Sequence, residues 1–357
     1  MIKLLIVDDS ALMRRQLMNL FQAEGDFEVR PARNGDEAVR ENREFQPDVV
    51  TLDINMPEMD GLTALSLIMT ERPVAVVMVS SLTNEGALAT FEALNLGAVD
   101  YIAKPGGTIS LSIDRITEEL VAKVRAAARS RPRGKLSSGA AVARRMQEER
   151  KKAAAASSAL AAPRGAGDGL LVVGASTGGP RALEIVLSGL PVNFPWPVLV
   201  AQHMPAAFTR AFAERLNQCC ALQVVEANSA LPIEAGKIYI GRGGADMVLA
   251  SRAGRLTVLP MPENSQFLWH PSVELLGRSV LEHYDPKRVT AVLLTGMGYD
   301  GSDAFAEIKK RGGRTIAESE ETAVVYGMPA ELVAKGGANL VLAVERVASQ
   351  LSIWAGR

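Results

Sequence analysis

Short runs of aliphatic and β-branched residues recur along this chain, each followed by a stretch with helical spacing. They fall into two blocks separated by a segment nearly free of large apolar residues. That alternation is the pattern of parallel sheets wrapped by helices. In the first block, residues 1–125, it predicts strands at Leu4–Val7, Glu28–Ala32, Val49–Leu52, Val74–Val79 and Tyr101–Ala103. It also predicts a helix over Ser10–Gln22, with Ser10 capping its start. In the second, residues 169–357, the clearest strands are Leu170–Val173, Val198–Ala201, Lys237–Ile240, Ala291–Leu294 and Leu340–Leu342. Helices are expected at Pro180–Leu190, Ala206–Gln218, Ser272–Tyr284 and Asp303–Arg311. The expected fold class is therefore α/β, with two doubly wound parallel-sheet domains: a smaller (βα)5 unit and a larger one.

Residues 126–168 are rich in Ala, Ser, Arg and Lys, with Pro132, Gly139 and Pro163 scattered among them. Such a stretch cannot bury enough surface to offset the entropy of ordering it, so it reads as a linker, partly helical around Val142–Ala156. Its basic cluster, Arg144, Arg145, Arg150, Lys151 and Lys152, reads as a solvated charge run, with contact to an acidic partner as the alternative. The whole chain carries a formal net charge of −1, which recruits neither nucleic acid nor an anionic membrane. No apolar stretch is long enough to span a bilayer, and the first strand runs straight into Asp8-Asp9 unlike a signal peptide. The two cysteines, Cys219 and Cys220, are adjacent and do not suggest a disulfide framework. A cytoplasmic protein is expected.

In an open parallel sheet, chemistry gathers beyond the carboxyl ends of the strands. In the first block those ends carry Asp8 and Asp9, then Asp53, Ser80 and Lys104, the last followed by Pro105 as a candidate cis peptide. Three carboxylates on one rim repel unless a divalent cation joins them, and Mg²⁺ takes oxygen ligands of this kind. Taken singly, Asp-Asp-Ser can cap a helix and Lys-Pro can turn the chain. Five such residues together at the ends of strands one, three, four and five point to a site.

These residues resemble the response-regulator receiver family through LLIVDDSALMR, DVVTLDINMPEMDGL, VMVSSLT and GAVDYIAKP. The resemblance implies that Asp53 accepts a phosphoryl group from a histidine kinase. It implies that Asp8, Asp9, Asp53 and the Asn55 backbone carbonyl hold Mg²⁺. Ser80 and Lys104 would then contact the phosphoryl group, and Tyr101 would move inward as Ser80 shifts.

At Gly174-Ala175-Ser176-Thr177-Gly178 the second block matches G-x-S-x-G between a strand and a helix, where small residues permit a tight turn that lifts a serine hydroxyl. The plainer alternative is a phosphate-binding turn, but the G-x-G-x-x-G spacing and the P-loop lysine are missing. A serine nucleophile needs a base, and the chain has three histidines. His203 directly follows an apolar strand, whereas His270 and His283 flank a helix where capping or surface roles suffice. Asp300, in LLTGMGYDGSDA, is placed to orient that base; Asp303 is better explained as helix-start charge. The order Ser176, His203, Asp300 differs from that of ordinary α/β-hydrolases.

VVGASTGGP, VAQHMP, HPSVELL and LLTGMGYDGSDA are similar to the chemotaxis protein-glutamate methylesterase family. That resemblance implies Ser176 as nucleophile, His203 as base and Asp300 as its partner, with Thr177 supporting the histidine and the Met297 amide at the oxyanion site. It implies a hydrolase without cofactor that demethylates glutamates on chemoreceptor cytoplasmic helices, releasing methanol, and that can also deamidate glutamines. It further implies that the resting receiver blocks the cleft until phosphorylation. A DNA-binding regulator would need a basic recognition helix, and a silent scaffold would not need the three hydrolase residues. Direct membrane insertion is not expected. One stretch departs from the family: Gly241-Arg242-Gly243-Gly244-Ala245-Asp246 stands where Ala-Pro-Gly-x-x-His is usual.

Overall fold

A computed structural model describes residues 1–81, 83–104, 113–129 and 168–356. The chain divides into two compact units, Met1–Ser138 and Gly139–Arg357, each taken by itself. Pro105, and with it the candidate cis peptide, lies outside the described residues, as does the expected linker from 130 to 167 with its basic cluster.

The first unit follows the expected alternation. Its strands are β1 (Ile2–Val7), β2 (Phe27–Ala32), β3 (Val49–Asp53), β4 (Ala75–Ser80) and β5 (Asp100–Ala103). They form one sheet in the order β2-β1-β3-β4-β5, parallel throughout. Every residue of β3 and β4 is buried, as expected of parallel strands covered on both faces. The helices are α1 (Ala11–Ala23), α2 (Gly35–Glu44), α3 (Gly61–Glu71), α4 (Asn84–Leu96) and α5 (Ile113–Arg129). Ser10, Asn34, Asp60 and Thr83 cap the first four, each accepting a backbone N–H three residues on. Leu4, Ile6, Phe21, Val49, Val77, Ile102 and Val124 share the core; each large apolar side chain buried there contributes about 1.5–3 kcal/mol. Residues 126–129, assigned to the linker on composition, are the last turn of α5. Ala127 is fully buried in the core, and that contact extends the helix.

The second unit is built on β6 (Leu170–Ala175), β7 (Val198–Gln202), β8 (Gln223–Ala227), β10 (Lys237–Gly241), β13 (Val289–Leu293), β14 (Arg314–Glu318) and β15 (Leu340–Leu342). These seven strands pair in parallel in the order β15-β14-β13-β6-β7-β10-β8. The chain leaves β6 for β7 on one side and later returns through β13 on the other, so β6 marks a switch point. Helices α6 (Gly179–Ser188), α7 (Ala206–Cys219), α8 (Val273–His283), α9 (Ser302–Lys310), α10 (Met328–Ala334) and α11 (Val344–Ala355) accompany the sheet. The strand pattern did not anticipate a small antiparallel sheet, β11 (Asp246–Arg252), β12 (Arg255–Met261) and β9 (Leu231–Pro232), in the order β11-β12-β9. Among the described residues no helix is long and apolar enough to cross a membrane.

Candidate active site

Ser176 and His203 are neighbours because two parallel strands end together. The β6–β7 register pairs Ala175 with Gln202, so the next residue on each strand is Ser176 or His203. The backbone ties the ends: His203 N donates to Ala175 O at 3.1 Å, and Ser176 N donates to Thr295 O at 2.9 Å. Gln202 is buried, and its Nε2 donates to the carbonyls of Ser176 (2.9 Å) and His203 (3.0 Å). The turn into α6 needs Gly178 at φ +76°, and a Cβ at Gly179 would lie 2.0 Å from Gln202 Oε1. Those glycines let the helix start directly behind the serine.

The long loop after β13 brings Asp300 to the histidine: His203 Nε2 lies 2.8 Å from Asp300 Oδ2. Asp300 is buried at the N-terminus of α8, where it accepts Val273 N (2.6 Å), Glu274 N (3.0 Å) and Ser272 Oγ (3.0 Å). Burial pushes its carboxyl upward, but the hydrogen bond and charge of His203, followed by the two helix amides, hold it below the ordinary 3.8. It therefore stays ionised and holds the proton on His203 Nε2. The other ring nitrogen, Nδ1, is buried with no hydrogen-bond partner among the described residues. A buried polar atom left unpaired is costly, and here it is the nitrogen available to accept a proton.

The Ser176 hydroxyl makes no hydrogen bond among the described residues. Thr177, expected to support the histidine, does not bond it either; its carbonyl instead accepts Thr295 Oγ1 at 2.9 Å. The Met297 and Thr177 backbone amides donate to no group among the described residues, whereas the Ser176 amide is spent on Thr295.

Of the two other histidines, His283 sits in the last turn of α8, 4.0 Å from Glu282, in the surface role expected. His270 departs from expectation: Ser272, not His270, caps α8, and His270 Nδ1 instead lies 2.9 Å from the buried Asp246. Asp246 also accepts Ser272 N (2.8 Å) and Asn264 N (2.9 Å). The stretch that departs from the family thus ends in a carboxylate clamping the segment ahead of α8. Asp303 lies in the first turn of α9 and pairs with Lys335 at 2.5 Å.

In the first unit, oxygens of Asp8, Asp9 and Asp53 all lie within 4.8 Å of one another. Lys104 Nζ is 2.7 Å from Asp53 Oδ2 and 3.0 Å from Asp8 Oδ2. Burial pushes the Asp53 carboxyl above its ordinary 3.8; Lys104 opposes that rise and Asp8 adds to it. Burial works against the Lys104 charge, yet the two carboxylates hold its ammonium above 10.5. Two buried carboxylates, Asp8 and Asp53, share the Lys104 ammonium and Asp9 adds a third on the rim, and the surplus negative charge on hard oxygens fits a divalent cation such as Mg²⁺. Asn55 N donates to Asp53 Oδ1 at 3.3 Å. Ser80 Oγ donates to Gly86 O at 3.1 Å. Tyr101, expected to move inward, is already buried, with Lys123 over its ring at 5.3 Å and bonded to its carbonyl.

Residues 171–351 match the CheB methylesterase family, and residues 4–113 match the response regulator receiver domain. A protein-glutamate methylesterase/protein-glutamine glutaminase 3 of Rhodospirillum rubrum is 55% identical over 359 residues, covering 100% of this chain and 97% of the relative. A protein-glutamate methylesterase/protein-glutamine glutaminase 2 of Rhodopseudomonas palustris is 53% identical over 365 residues, covering 99% and 98%. Among solved structures, the Thermotoga maritima CheB methylesterase catalytic domain superposes with a TM-score of 0.50 at 35% identity, covering 52% of this chain and 98% of that one.

Proposed function

Since this chain belongs to the CheB methylesterase family, with a receiver ahead of the hydrolase, we propose that Ser176, His203 and Asp300 carry its protein-glutamate methylesterase reaction. The observation that supports this most is the unpartnered Nδ1 of His203, held beside Ser176 by paired strand ends and backed by an ionised Asp300.

Ser176 Oγ attacks the carbonyl carbon of a glutamate methyl ester as its proton passes to His203 Nδ1. Asp300 keeps Nε2–H in place and stabilises the imidazolium. The amides of Met297 and Thr177 are the free donors for the oxyanion; one such donor is typically worth about 3 kcal/mol. Collapse breaks the bond to the methoxy group, which takes the Nδ1 proton and leaves as methanol. Water then repeats the sequence on the acyl-serine and releases the glutamate carboxylate. With a glutamine amide the same steps expel ammonia, which matches the double activity in the relatives' names.

In the receiver, Asp53 is the proposed phosphoacceptor, with a chemotaxis histidine kinase as donor and chemoreceptor cytoplasmic helices as the substrate of the output. Asp8, Asp9, Asp53 and the Asn55 carbonyl would hold Mg²⁺, which when bound neutralises charge on the phosphoryl oxygens. Lys104 is placed to pair with the phosphoryl group, Ser80 to exchange its bond to Gly86 for one to that group, and Tyr101 to read the exchange. The domain plan is a receiver over residues 1–125, extended to Arg129 by α5, a linker to 168, and the hydrolase over 169–357. A cytoplasmic setting fits these partners.

Acid quench during turnover of a methylated receptor peptide, followed by peptide mapping, tests the nucleophile. An acyl adduct on Ser176 is expected; an adduct on another residue overturns the assignment.

A further inference from the structure

The segment between β12 and α8 carries an aromatic residue that the triad does not explain. The Trp269 indole lies parallel to the His203 imidazole, with ring centroids 5.7 Å apart and planes 5° apart. Tyr299 meets the indole edge-on at 5.3 Å. Gly298, at φ +82°, leaves room for it: a Cβ there would lie 2.6 Å from the indole. One buried carboxylate pins both ends of the segment, because Asp246 accepts from Asn264, His270 and Ser272. The indole is therefore seated on three sides by contacts that do not involve substrate.

The histidine is enclosed accordingly. Asp300 holds Nε2, Trp269 covers a ring face, and Nδ1 alone is left for the serine. We propose that Trp269 is a positioning residue for His203: its π face fixes the imidazole plane and favours the imidazolium that forms as Ser176 attacks. This rests on His203 being the base. An aromatic face within about 6 Å attracts a cation, and the attraction exists only once the proton has arrived, so it acts on the transition state more than on the ground state. The charged and titratable groups around this stack are few. Asp300 faces His203 directly, Tyr299 packs on the indole edge, and His270, next in the chain to Trp269, pairs with Asp246.

The test uses the full chain with phosphodonor, comparing wild type, W269F, W269L and Y299A on a methylated receptor across pH 5–9. W269L keeps bulk but loses the π face. It is expected to lower kcat roughly tenfold with little change in KM, and to move the acid limb of kcat to lower pH, because the protonated histidine loses its support. W269F is expected to recover most of the rate and the position of the limb. Y299A, at a residue 53% exposed and so tolerant of substitution, should move the limb the same way by less. If W269L keeps the wild-type kcat and acid limb, or loses rate with an unmoved limb that W269F does not rescue, Trp269 is only packing. A serine variant, S176A, run alongside separates the two ideas, since turnover by S176A would overturn the triad itself.

Discussion

His203 presents Nε2, not Nδ1, to its carboxylate partner: Nε2 lies 2.8 Å from Asp300 Oδ2, and Nδ1 is left buried and unpaired. In the familiar serine-protease arrangement the two nitrogens have the reverse duties. The difference follows from the scaffold. His203 leaves the end of β7 beside Ser176, while Asp300 arrives from the far side of β6, anchored on the first amides of α8. In the proposed mechanism the catalytic proton therefore travels through Nδ1.

Ser272 joins the two carboxylates behind this pair. Its amide donates to Asp246 and its hydroxyl to Asp300, and the same hydroxyl caps α8 by accepting Leu275 N at 3.2 Å. Removing the hydroxyl in S272A should cost about 1–2 kcal/mol of stability, the usual loss for a cap. It should also lower kcat by roughly tenfold with KM unchanged, since Asp300 loses one of the donors that aim it. Steady-state kinetics and urea unfolding check both; an unchanged kcat would leave Ser272 a cap alone.

Asp300 makes acid stability informative. Its carboxyl is held below 3.8 in the folded chain, so it contributes stability that is present above about pH 3.8 and lost as pH falls through the folded value. The stability gap between wild type and D300N should thus close as pH falls below about 3.8 and through the folded value. The three tryptophans, Trp196, Trp269 and Trp354, all lie in the second unit, so their fluorescence during urea unfolding reports on it. A gap that fails to narrow below about pH 3.8 contradicts the assignment.

Asp53 has the opposite sign. Burial, with Asp8 adding to it, holds its folded carboxyl above 3.8 despite Lys104, so the ionised form costs receiver stability at neutral pH, and that cost disappears as pH falls below 3.8. D53N should therefore raise the receiver melting temperature at pH 7 in Mg²⁺-free buffer, and added Mg²⁺ should narrow the gain by offsetting the charge in wild type. Scanning calorimetry measures both. A lower melting temperature for D53N would mean that Lys104 more than compensates burial.

Much of this was legible along the chain because parallel strands buried on both faces announce themselves. LLVVGA and VLVAQ read as strands without ambiguity, and their ends led directly to Ser176 and His203. The edge strand β8, QVVEA, mixes exposed, partly buried and buried residues without a regular period and gives no clear strand signal, nor does the antiparallel sheet of β9, β11 and β12, whose strands are short or half-exposed. That sheet matters for the site because β11 begins at Asp246. The partnership of Asp246 with His270 spans 24 residues, and no local spacing signals it. The placement of Trp269 over His203 was likewise illegible, since it depends on a loop conformation set by Asp246 and Gly298. The one available hint is that His270 opens the HPSVELL motif and Trp269 stands directly ahead of it.

Methanol release from methylated chemoreceptor membranes, measured for full-length wild type, S176A and D53N with and without a small phosphodonor plus Mg²⁺, probes both units at once. Wild type should release methanol, faster with the phosphodonor; D53N should keep a basal rate that the phosphodonor does not raise; and S176A should fall at least about a thousandfold in every condition. Wild-type turnover by S176A would contradict the triad, and activation of D53N equal to wild type would contradict the receiver switch.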